Sequence, residues 1–499
     1  MLALFLPIFL VLLLIGMPVF FAMLAAPGFI LFANGMDRDI ALMYRNIYSG
    51  VFSFPLMAIP FFMLAGELMN RGGITFRLVD FSQALIGQLR GGLAQVNILS
   101  SMLFAGLSGS AVADTSALGS MLIPAMEKNG YSRRYAAAVT AASSVIGPII
   151  PPSGIMIIYA YVMEVSVAKL FAAGIIPGIL VGGSLMVLVN FQARKEGFPV
   201  AGRGLDKPEA LQPVRKLENI CAWIFAVSGL ALILMAAFGG DAETATGMSL
   251  YFAENPLQFF AVSLIPSLAI MFGIRPFLSV PFRNVAKRAV LPLLTPVIIL
   301  GGILGGIFTP TEASAVAAFY ALFIGMFVLG TLTLKDLPSI FTKAAMISAV
   351  VLLLVGAAMA FKTVVSLSHA AELMAEWILT LTANPLILLF LINLLLFIVG
   401  MFLDAGPAII ILGPILGPIF VSLGVDPVHF AMIMSVNLTV GLITPPMGLV
   451  LFVASSVSGE KVEIIAKQIL PFLFVEMAVI FLITYVPAVS LTIPRLLGL

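Results

Sequence analysis

Charged residues are scarce in this sequence. Lys, Arg, Asp and Glu make up only 10% of the 499 residues, whereas 61% of the residues are hydrophobic and the mean hydropathy is +1.17. A soluble domain carries roughly a quarter charged residues to cover its surface, so the composition excludes a soluble protein and makes lipid the main solvent of this chain. The net charge of +2 argues against a nucleic-acid partner.

Cysteine and histidine are almost absent. The single cysteine, Cys221, excludes a disulfide framework and a multi-cysteine metal site. The two histidines, His369 and His429, are far apart in sequence, which disfavours a histidine-based metal or catalytic centre. The N-terminus lacks the basic region and the small-residue cleavage site of a signal peptide, so we interpret it as a retained first span, made at a bacterial inner membrane.

Long apolar runs predict an all-α polytopic membrane protein with about eleven full spans. The runs lie near residues 2–33, 50–69, 135–163, 169–193, 217–238, 256–274, 289–308, 312–330, 343–361, 428–458 and 468–493. Two further apolar stretches, 91–126 and 385–423, break in the middle at polar or Gly- and Pro-containing positions. Each of these two stretches predicts a re-entrant hairpin of two short helical limbs.

The distribution of Lys and Arg predicts the side of the membrane on which each loop lies. Short cytoplasmic loops retain positive charge, and a cytoplasmic N-terminus places the basic clusters inside and the acidic loops 239–255 and 364–384 outside. The stretch Asp37–Arg45 is the exception, since it contains two bases and is predicted to be an outer loop.

An internal repeat is the strongest feature of the sequence. Residues 106–154 match residues 400–448 without a gap, at an offset of 294 residues, and Gly and Pro dominate the identities. Since these residues constrain the backbone, the two segments share a shape: a hairpin, a turn and a span interrupted at a Pro-Pro pair. Loop charges place the first turn, at Gly130, inside and the second, at Gly424, outside. The sequence therefore predicts an inverted repeat, with substrate and ion sites near the midplane where discontinuous helices meet.

This repeat divides the chain into three regions. They are a first inverted repeat at 1–193, with hairpin 91–126 and broken span 135–163; an inter-repeat region at 194–308, with two additional spans at 217–238 and 256–274; and a second inverted repeat at 309–499, with hairpin 385–423 and broken span 428–458.

The predicted breaks offer oxygen atoms for a cation and helix ends for an anion. A broken helix in lipid frees backbone carbonyls that must be satisfied, and such carbonyls with hydroxyl, amide or carboxylate oxygens suit sodium. Helix N-termini facing the same gap favour an anion, and no Lys or Arg lies in either break. The polar residues available in the breaks are Ser108, Gly109, Ser110, Asp114, Ser143, Ser144, Ser153, Asp404, Asn437, Thr439 and Thr444.

Carboxylates inside the membrane are functional candidates because burying them is costly. Asp404 and Asp114 are the sharpest of these, although either could instead cap a hairpin helix. Glu312 follows Thr-Pro-Thr at a span start and is predicted to be a structural cap. Three further charged residues lie near the predicted span ends and are expected to extend toward the interface: Glu67, Lys362 and Glu476.

Several strings resemble the large membrane subunit of TRAP (tripartite ATP-independent periplasmic) transporters. They are IPFFMLAGELMNRGGI at 59–74, SMLFAGLSGSAVADTSALGSMLIPAM at 101–126, AASSVIGPIIPPS at 141–153, GIFTPTEASAVA at 306–317, GMFLDAGPAIIILGPIL at 400–416 and NLTVGLITPPMGLVLFV at 437–453. The resemblance covers nearly the whole chain, apart from 199–285, where the family usually has a short basic loop.

The resemblance implies an elevator-type ion-transporter fold and sodium-driven import of an organic acid, typically a carboxylate. It implies two protein partners, a periplasmic substrate-binding protein and a small four-span membrane subunit, with sodium as the coupling ion and no organic cofactor. Carried over by motif, the sodium-site candidates are Ser108, Gly109, Ser110, Ser143, Gly147, Pro148, Asp404, Asn437, Thr439, Gly441 and Thr444. The substrate-site candidates are Ser110, Pro151, Ser153, Asp404 and Thr444.

Other functions remain open on the sequence alone. A stand-alone sodium–carboxylate symporter of the same fold would work without the periplasmic protein. An intramembrane hydrolase would need a nucleophile paired with a base or a metal cluster, and neither histidine has a convincing partner, so the chain is not expected to be an enzyme. A passive channel would not need buried hairpins and carboxylates.

Overall fold

The structure is a computed structural model that describes residues 4–198, 275–368 and 384–499, with scattered residues between 202 and 273. The regular elements of these residues are helices, which confirms the prediction of an all-α protein. Most of the two predicted spans at 217–238 and 256–274 lies outside the described residues. The multi-pass membrane prediction also holds, because many described helices are long and apolar.

The first described range, 4–198, contains ten α-helices. They are α1 (Phe5–Leu14), α2 (Val19–Ala33), α3 (Asp37–Val51), α4 (Ala58–Arg71), α5 (Ile74–Ile86), α6 (Gly92–Ser108), α7 (Ala111–Lys128), α8 (Arg133–Ser144), α9 (Gly154–Met163) and α10 (Val167–Glu196). A 3-10 turn, Phe54–Met57, joins α3 to α4.

The later ranges, 275–368 and 384–499, contain nine more. They are α11 (Val280–Leu304), α12 (Pro310–Phe323), α13 (Leu337–Leu367), α14 (Pro385–Phe402), α15 (Ala405–Ser422), α16 (Pro427–Gly441), α17 (Leu449–Ser458), α18 (Val462–Tyr485) and α19 (Ala488–Leu496). A π-helical turn, Ile324–Val328, extends α12.

The prediction of eleven full spans is not confirmed. Among the described residues, seven helices are long and apolar enough to cross a membrane, or eight if the bent pair Arg38–Val51 and Phe54–Arg71 counts as one span. The apolar run 2–33 is two helices rather than one, because Gly16 takes a φ of +90° and Pro18 precedes a new helix start. The runs 135–163 and 428–458 likewise divide into helices of 10 to 15 residues.

The predicted outer loop Asp37–Arg45 is wrong, since these residues form most of helix α3. This helix packs along α13, where Asn46 Nδ2 donates to Thr363 Oγ1 at 2.7 Å. A Cβ added to Gly50 would lie 3.2 Å from Gly356 Cα, so the two backbones approach closely. The polar sequence of α3 concealed a helix that is stabilised by a neighbouring helix rather than by its own apolarity.

The helix bounds of the two hairpins recur at the offset of 294 residues. Helix α7 begins at residue 111 and ends at 128, and α15 begins at 405 and ends at 422. The preceding helices α6 and α14 end at 108 and 402. The Pro-Pro pairs of both broken spans, Pro151-Pro152 and Pro445-Pro446, are cis. The helix-breaking residues of the repeat therefore produce the same local shape twice.

Candidate functional site

A cavity of about 330 Å³ lies where the breaks of the two segments meet. One part of its wall comes from the α6–α7 junction, the α14–α15 junction and the start of α9. Another part comes from α4 and α13. Of the candidate residues predicted from the sequence, this wall includes Ser108, Gly109, Ser110, Pro148 and Asp404. The structure thus brings both hairpin tips to one site.

The first tip is shaped by a glycine and a capping serine. Gly109 takes a φ of +60°, and a Cβ at this position would lie 2.8 Å from the carbonyl oxygen of Pro152, so the turn requires glycine. Ser110 follows in an extended conformation, and its hydroxyl accepts a hydrogen bond from the Ala113 N–H at 3.4 Å. The Ser110 hydroxyl therefore caps the N-terminus of α7, and the same residue lies on the cavity wall.

The second tip has a carboxylate at the equivalent position. Asp404 is the N-cap of α15, and its Oδ1 accepts from the Ala405 N–H at 2.8 Å. The residue is nevertheless exposed, because it borders the cavity. The capping alternative considered for Asp404 is therefore correct, and it does not exclude a second role, since the carboxylate is open to a ligand.

Asp114 is fully buried one turn into α7. Its Oδ1 accepts from the Ser108 hydroxyl, whereas Oδ2 has no hydrogen-bond partner in the described part of the chain. Gly147, in the break of the first span, lies so close that a Cβ there would be 2.3 Å from Oδ2. A buried oxygen without a partner, next to a broken helix, fits a small hard cation such as sodium.

The remaining candidates of the first break are buried behind the cavity wall. The Ser143 hydroxyl donates to Asn97 Oδ1 at 3.3 Å and accepts from the Ser101 hydroxyl at 2.8 Å, so Ser143 faces α6. The Ser153 hydroxyl donates to the Pro148 carbonyl at 2.5 Å and caps α9. Pro151, Ser153 and Ser143 are buried and none of them is on the cavity wall.

The four candidates of the second break are buried too, and the structure does not bring them to the cavity. Asn437 donates to Asn393 Oδ1 at 2.6 Å, whereas the hydroxyls of Thr439 and Thr444 donate to backbone carbonyls of α16. A Cβ on Gly441 would lie 2.5 Å from Gly400 Cα. The polar candidates of this break therefore take part in helix packing, whereas Leu442 of the same break lies on the cavity wall.

Three helices present their N-terminal ends to the cavity. The wall includes Ala111 of α7, Gly154 of α9 and Ala405 of α15, each the first residue of its helix. The first backbone N–H groups of a helix lack intrahelical partners, and the helix dipole adds positive potential at this end. Converging N-termini favour an anion without a Lys or Arg in either break.

Charged residues of α4 and α13 form ion pairs. Glu67 of α4 lines the cavity and accepts from Lys343 Nζ of α13 at 2.7 Å. Lys362, at the other end of α13, donates to the Val162 carbonyl and to Glu164, both at 3.0 Å. Glu67 thus links α4 to α13, and Lys362 links α13 to the end of α9. Glu67 and Lys362 also lie near the ends of their helices.

Glu476 does not extend toward the interface as predicted. The helix that contains it, α18, begins at Val462 rather than near 468, which places Glu476 in mid-helix with 0% of its surface exposed. From there the side chain is too short to reach a helix end. The cap predicted at Glu312 is confirmed, because its side chain and Thr309 form a reciprocal capping box.

Comparisons with known proteins agree on one family. The family described as the DctM component of the tripartite ATP-independent periplasmic transporter matches residues 6–489. The chain is 35% identical to the sialic acid TRAP transporter large permease protein SiaM of Vibrio cholerae, over 96% of this chain and 95% of that one. It is also 35% identical to the isethionate TRAP transporter permease protein DctMQ of Oleidesulfovibrio alaskensis, over 96% of this chain and 64% of that longer one.

The fold is also similar to that of a solved structure. The YdaH transporter of Alcanivorax borkumensis superposes with a TM-score of 0.55, covering 91% of this chain and 88% of that one at 15% sequence identity. At this identity the likeness concerns the fold alone.

Proposed function

The chain belongs to the DctM family of tripartite ATP-independent periplasmic transporters, and on that basis we propose that it is the large permease subunit of a sodium-coupled importer of organic acids, typically carboxylates. The observation that carries this proposal is the cavity between the two hairpin tips, with three helix N-termini and two acidic residues around it. The protein moves its substrate and does not transform it.

The geometry supports an anionic substrate that enters together with cations. The three N-termini at Ala111, Gly154 and Ala405 favour the carboxylate of the substrate. The buried carboxylate of Asp114, with its oxygen near Gly147, would hold one sodium ion with backbone carbonyls of the break. Asp404 at the second tip would supply oxygen for another. Bound cations would offset the negative charges of these residues, so an anion could approach them.

The cavity wall is shared between the hairpins with the broken spans and the helices α4 and α13, which supports an elevator movement. The hairpins and the broken spans would carry substrate and sodium as one body, and α4 and α13 would form the stationary face. The wall of α13 is apolar where it meets the cavity, at Ile347, Val351 and Leu354. This apolar stretch offers no directional bonds to the moving body, so the bonds that would have to break are those of Lys362 with the Val162 carbonyl and with Glu164.

We further propose two protein partners and an orientation. The partners are a small four-span membrane subunit and a periplasmic substrate-binding protein, in a bacterial inner membrane with the N-terminus of this chain in the cytoplasm. The similarity to only 64% of the longer DctMQ protein supports the small subunit, since that relative contains additional sequence beyond the part matched here.

Uptake into proteoliposomes tests the proposal. The protein would be co-reconstituted with its small subunit. Uptake of labelled sialic acid and C4-dicarboxylates, for which related large permeases are named, would be measured with and without an inward sodium gradient and with and without the binding protein. We expect uptake only when both are present. Uptake that needs sodium but no binding protein would favour the stand-alone symporter, and uptake that ignores sodium would contradict the coupling.

A further inference from the structure

The buried side chain of Glu476 takes no part in the cavity site described above. Glu476 is completely buried in α18, and neither Oε1 nor Oε2 has a hydrogen-bond partner among the described residues. None of the ion pairs found in that part of the chain includes it. An ionised carboxylate in such a position would have neither water nor a counter-charge, which is the most costly state for the group.

The position of Glu476 lies between contacts to both matched segments. One turn before it, the ring of Phe472 packs against Tyr135 of α8, with 5.9 Å between the ring centroids. Two turns after it, Thr484 Oγ1 donates to Asn393 Oδ1 of α14 at 3.1 Å, and the Thr484 carbonyl lies 3.2 Å from His429 Nε2 of α16. Helix α18 thus joins the first broken span to the second, and Glu476 lies on the stretch between the two contacts.

Helices α8, α10, α14, α16, α17 and α19 pack against α18. Two buried titratable side chains of these helices contact α18: Tyr135 packs against Phe472, and His429 lies next to the Thr484 carbonyl. The Lys and Arg residues of these helices lie in the first or last turns, and all are exposed or half-buried: Arg133, Arg134, Lys169, Arg194, Lys195 and Arg495. On α18 itself, Glu463 and Lys467 are exposed. No positive side chain is therefore buried beside Glu476 on the described helices to neutralise an ionised carboxylate.

The side chains next to Glu476 on its own helix suit a proton better than a metal ion. A sodium ion needs several oxygen ligands, but the buried residues around Glu476 on α18 are apolar: Phe472, Leu473, Val479 and Ile480. In the part of the chain that the structure describes, no group of three or more His, Cys, Asp or Glu residues could hold a metal. A proton needs no ligand shell, because it forms a covalent bond to one carboxylate oxygen and removes the charge.

We propose that Glu476 is a proton-binding site between the two broken spans, occupied by a proton taken from solvent and held as a neutral carboxylic acid in this conformation. The ligand is H⁺ and is distinct from the sodium proposed at the hairpin tips. The site does not depend on the sodium coupling proposed above, since it rests only on the burial and the surroundings of α18.

Infrared difference spectroscopy of the full-length protein in lipid nanodiscs tests this site directly. We expect the C=O stretching band of a carboxylic acid at neutral pH, lost in Glu476→Gln and kept in Glu463→Gln, a control on the exposed side of the same helix. Absence of the band from the unsubstituted protein would overturn the proposal. A carboxylate band assigned to Glu476 that shifts when sodium is replaced by choline would overturn it in favour of a cation site.

A second measurement keeps the test independent of the variant. If Glu476→Gln fails to fold, as judged by size-exclusion chromatography and melting, the unsubstituted protein is labelled with ¹³C-glutamate. A carboxylic acid band that shifts on labelling belongs to a protonated glutamic acid, which supports the proposal. If no such band shifts, no glutamic acid is protonated and the proposal fails. Neither readout requires transport, so a failure here is distinguishable from a failure of the proposed importer.

Discussion

At the scale of single residues, the two hairpin tips are equivalent in position and unequal in charge. Ser110 and Asp404 are related by the offset of 294 residues, and each caps the second helix of its hairpin. Only the second tip has a carboxylate at the cavity. In the first hairpin the carboxylate is Asp114, one turn further into the helix and fully buried. The repeat therefore supplies the same backbone twice and different ligands on each copy.

We expect Asp404→Asn to abolish most sodium-dependent uptake. Asparagine caps a helix as well as aspartate does, so the change removes the charge and keeps α15 intact. Loss of one charged ligand is expected to weaken sodium binding about tenfold or more. Asp426→Asn is the matched control, because Asp426 caps α16 at the far end of the second hairpin. Equal uptake by the two variants would remove Asp404 from the ion site.

Replacing the serine caps Ser110 and Ser153 by alanine is expected to affect two different properties of the protein. Ser110 lies on the cavity wall, so Ser110→Ala is expected to raise the substrate concentration for half-maximal uptake by roughly fivefold, the worth of one neutral hydrogen bond. Ser153 is buried behind the wall, so Ser153→Ala is expected to lower stability by about 1 kcal/mol through loss of the α9 cap. Uptake kinetics and thermal melting of both variants would check this. If Ser153→Ala shifts the kinetics without changing the melting, it contacts substrate after all.

At the scale of helices, apolar runs and Gly or Pro positions were enough to predict most elements. The pairs α6–α7 and α14–α15 and the interruptions of 135–163 and 428–458 all lie where the sequence breaks. Helix α3 was missed because its sequence is polar and its stability comes from contact with α13. The division of 2–33 into two helices does not follow from its apolar character. The mean hydropathy of a run is unaffected by a single glycine with a left-handed backbone, such as Gly16.

Contact between α14 and α16 depends on two glycines. A Cβ on Gly441 would lie 2.5 Å from Gly400 Cα, so Gly441→Ala must push the helices apart. We expect a loss of about 1–3 kcal/mol, the usual cost of overpacking. Gly301→Ala is the control: it is also in a helix, but nothing lies within 4 Å of the added Cβ, so stability should rise by about 0.5–1 kcal/mol. Melting temperatures in detergent would measure both, and a Gly441→Ala protein as stable as the unsubstituted one would contradict the close packing.

At the scale of the whole molecule, the candidate site is where the two matched segments meet. The four candidate residues of the hairpin tips, Ser108, Gly109, Ser110 and Asp404, all lie on the cavity wall, and their binding of sodium or substrate stays a prediction. Most candidate residues of the two broken spans do not line the cavity. The sequence could not predict this, because spacing along a chain does not fix the direction of each side chain once a helix has been interrupted. Asn437 and Thr439, for example, bond to neighbouring helices or to their own backbone.

The opposite orientation of the two segments can be tested by labelling. In a protein without Cys221, single cysteines at Asn129 and Ser422 would report on the far ends of the two hairpins, where both residues are exposed. We expect a membrane-impermeant thiol reagent added to intact cells to modify the cysteine at 422 and not that at 129, and permeabilised cells to show both modified. Modification of both positions in intact cells would contradict the inverted repeat.

The recurrence of helix ends at one fixed offset has a consequence for which sequence changes the two segments can tolerate. The second helices of the two hairpins are each 18 residues long, although most of their side chains differ. One residue inserted into a helix rotates everything beyond it by about 100°, so a single insertion would turn each following side chain away from its neighbours. The two copies can therefore differ at most side chains and keep the same packing register, whereas a difference of one residue in length would lose it. Helix length is the constraint that the two copies share, and composition is the property in which they differ.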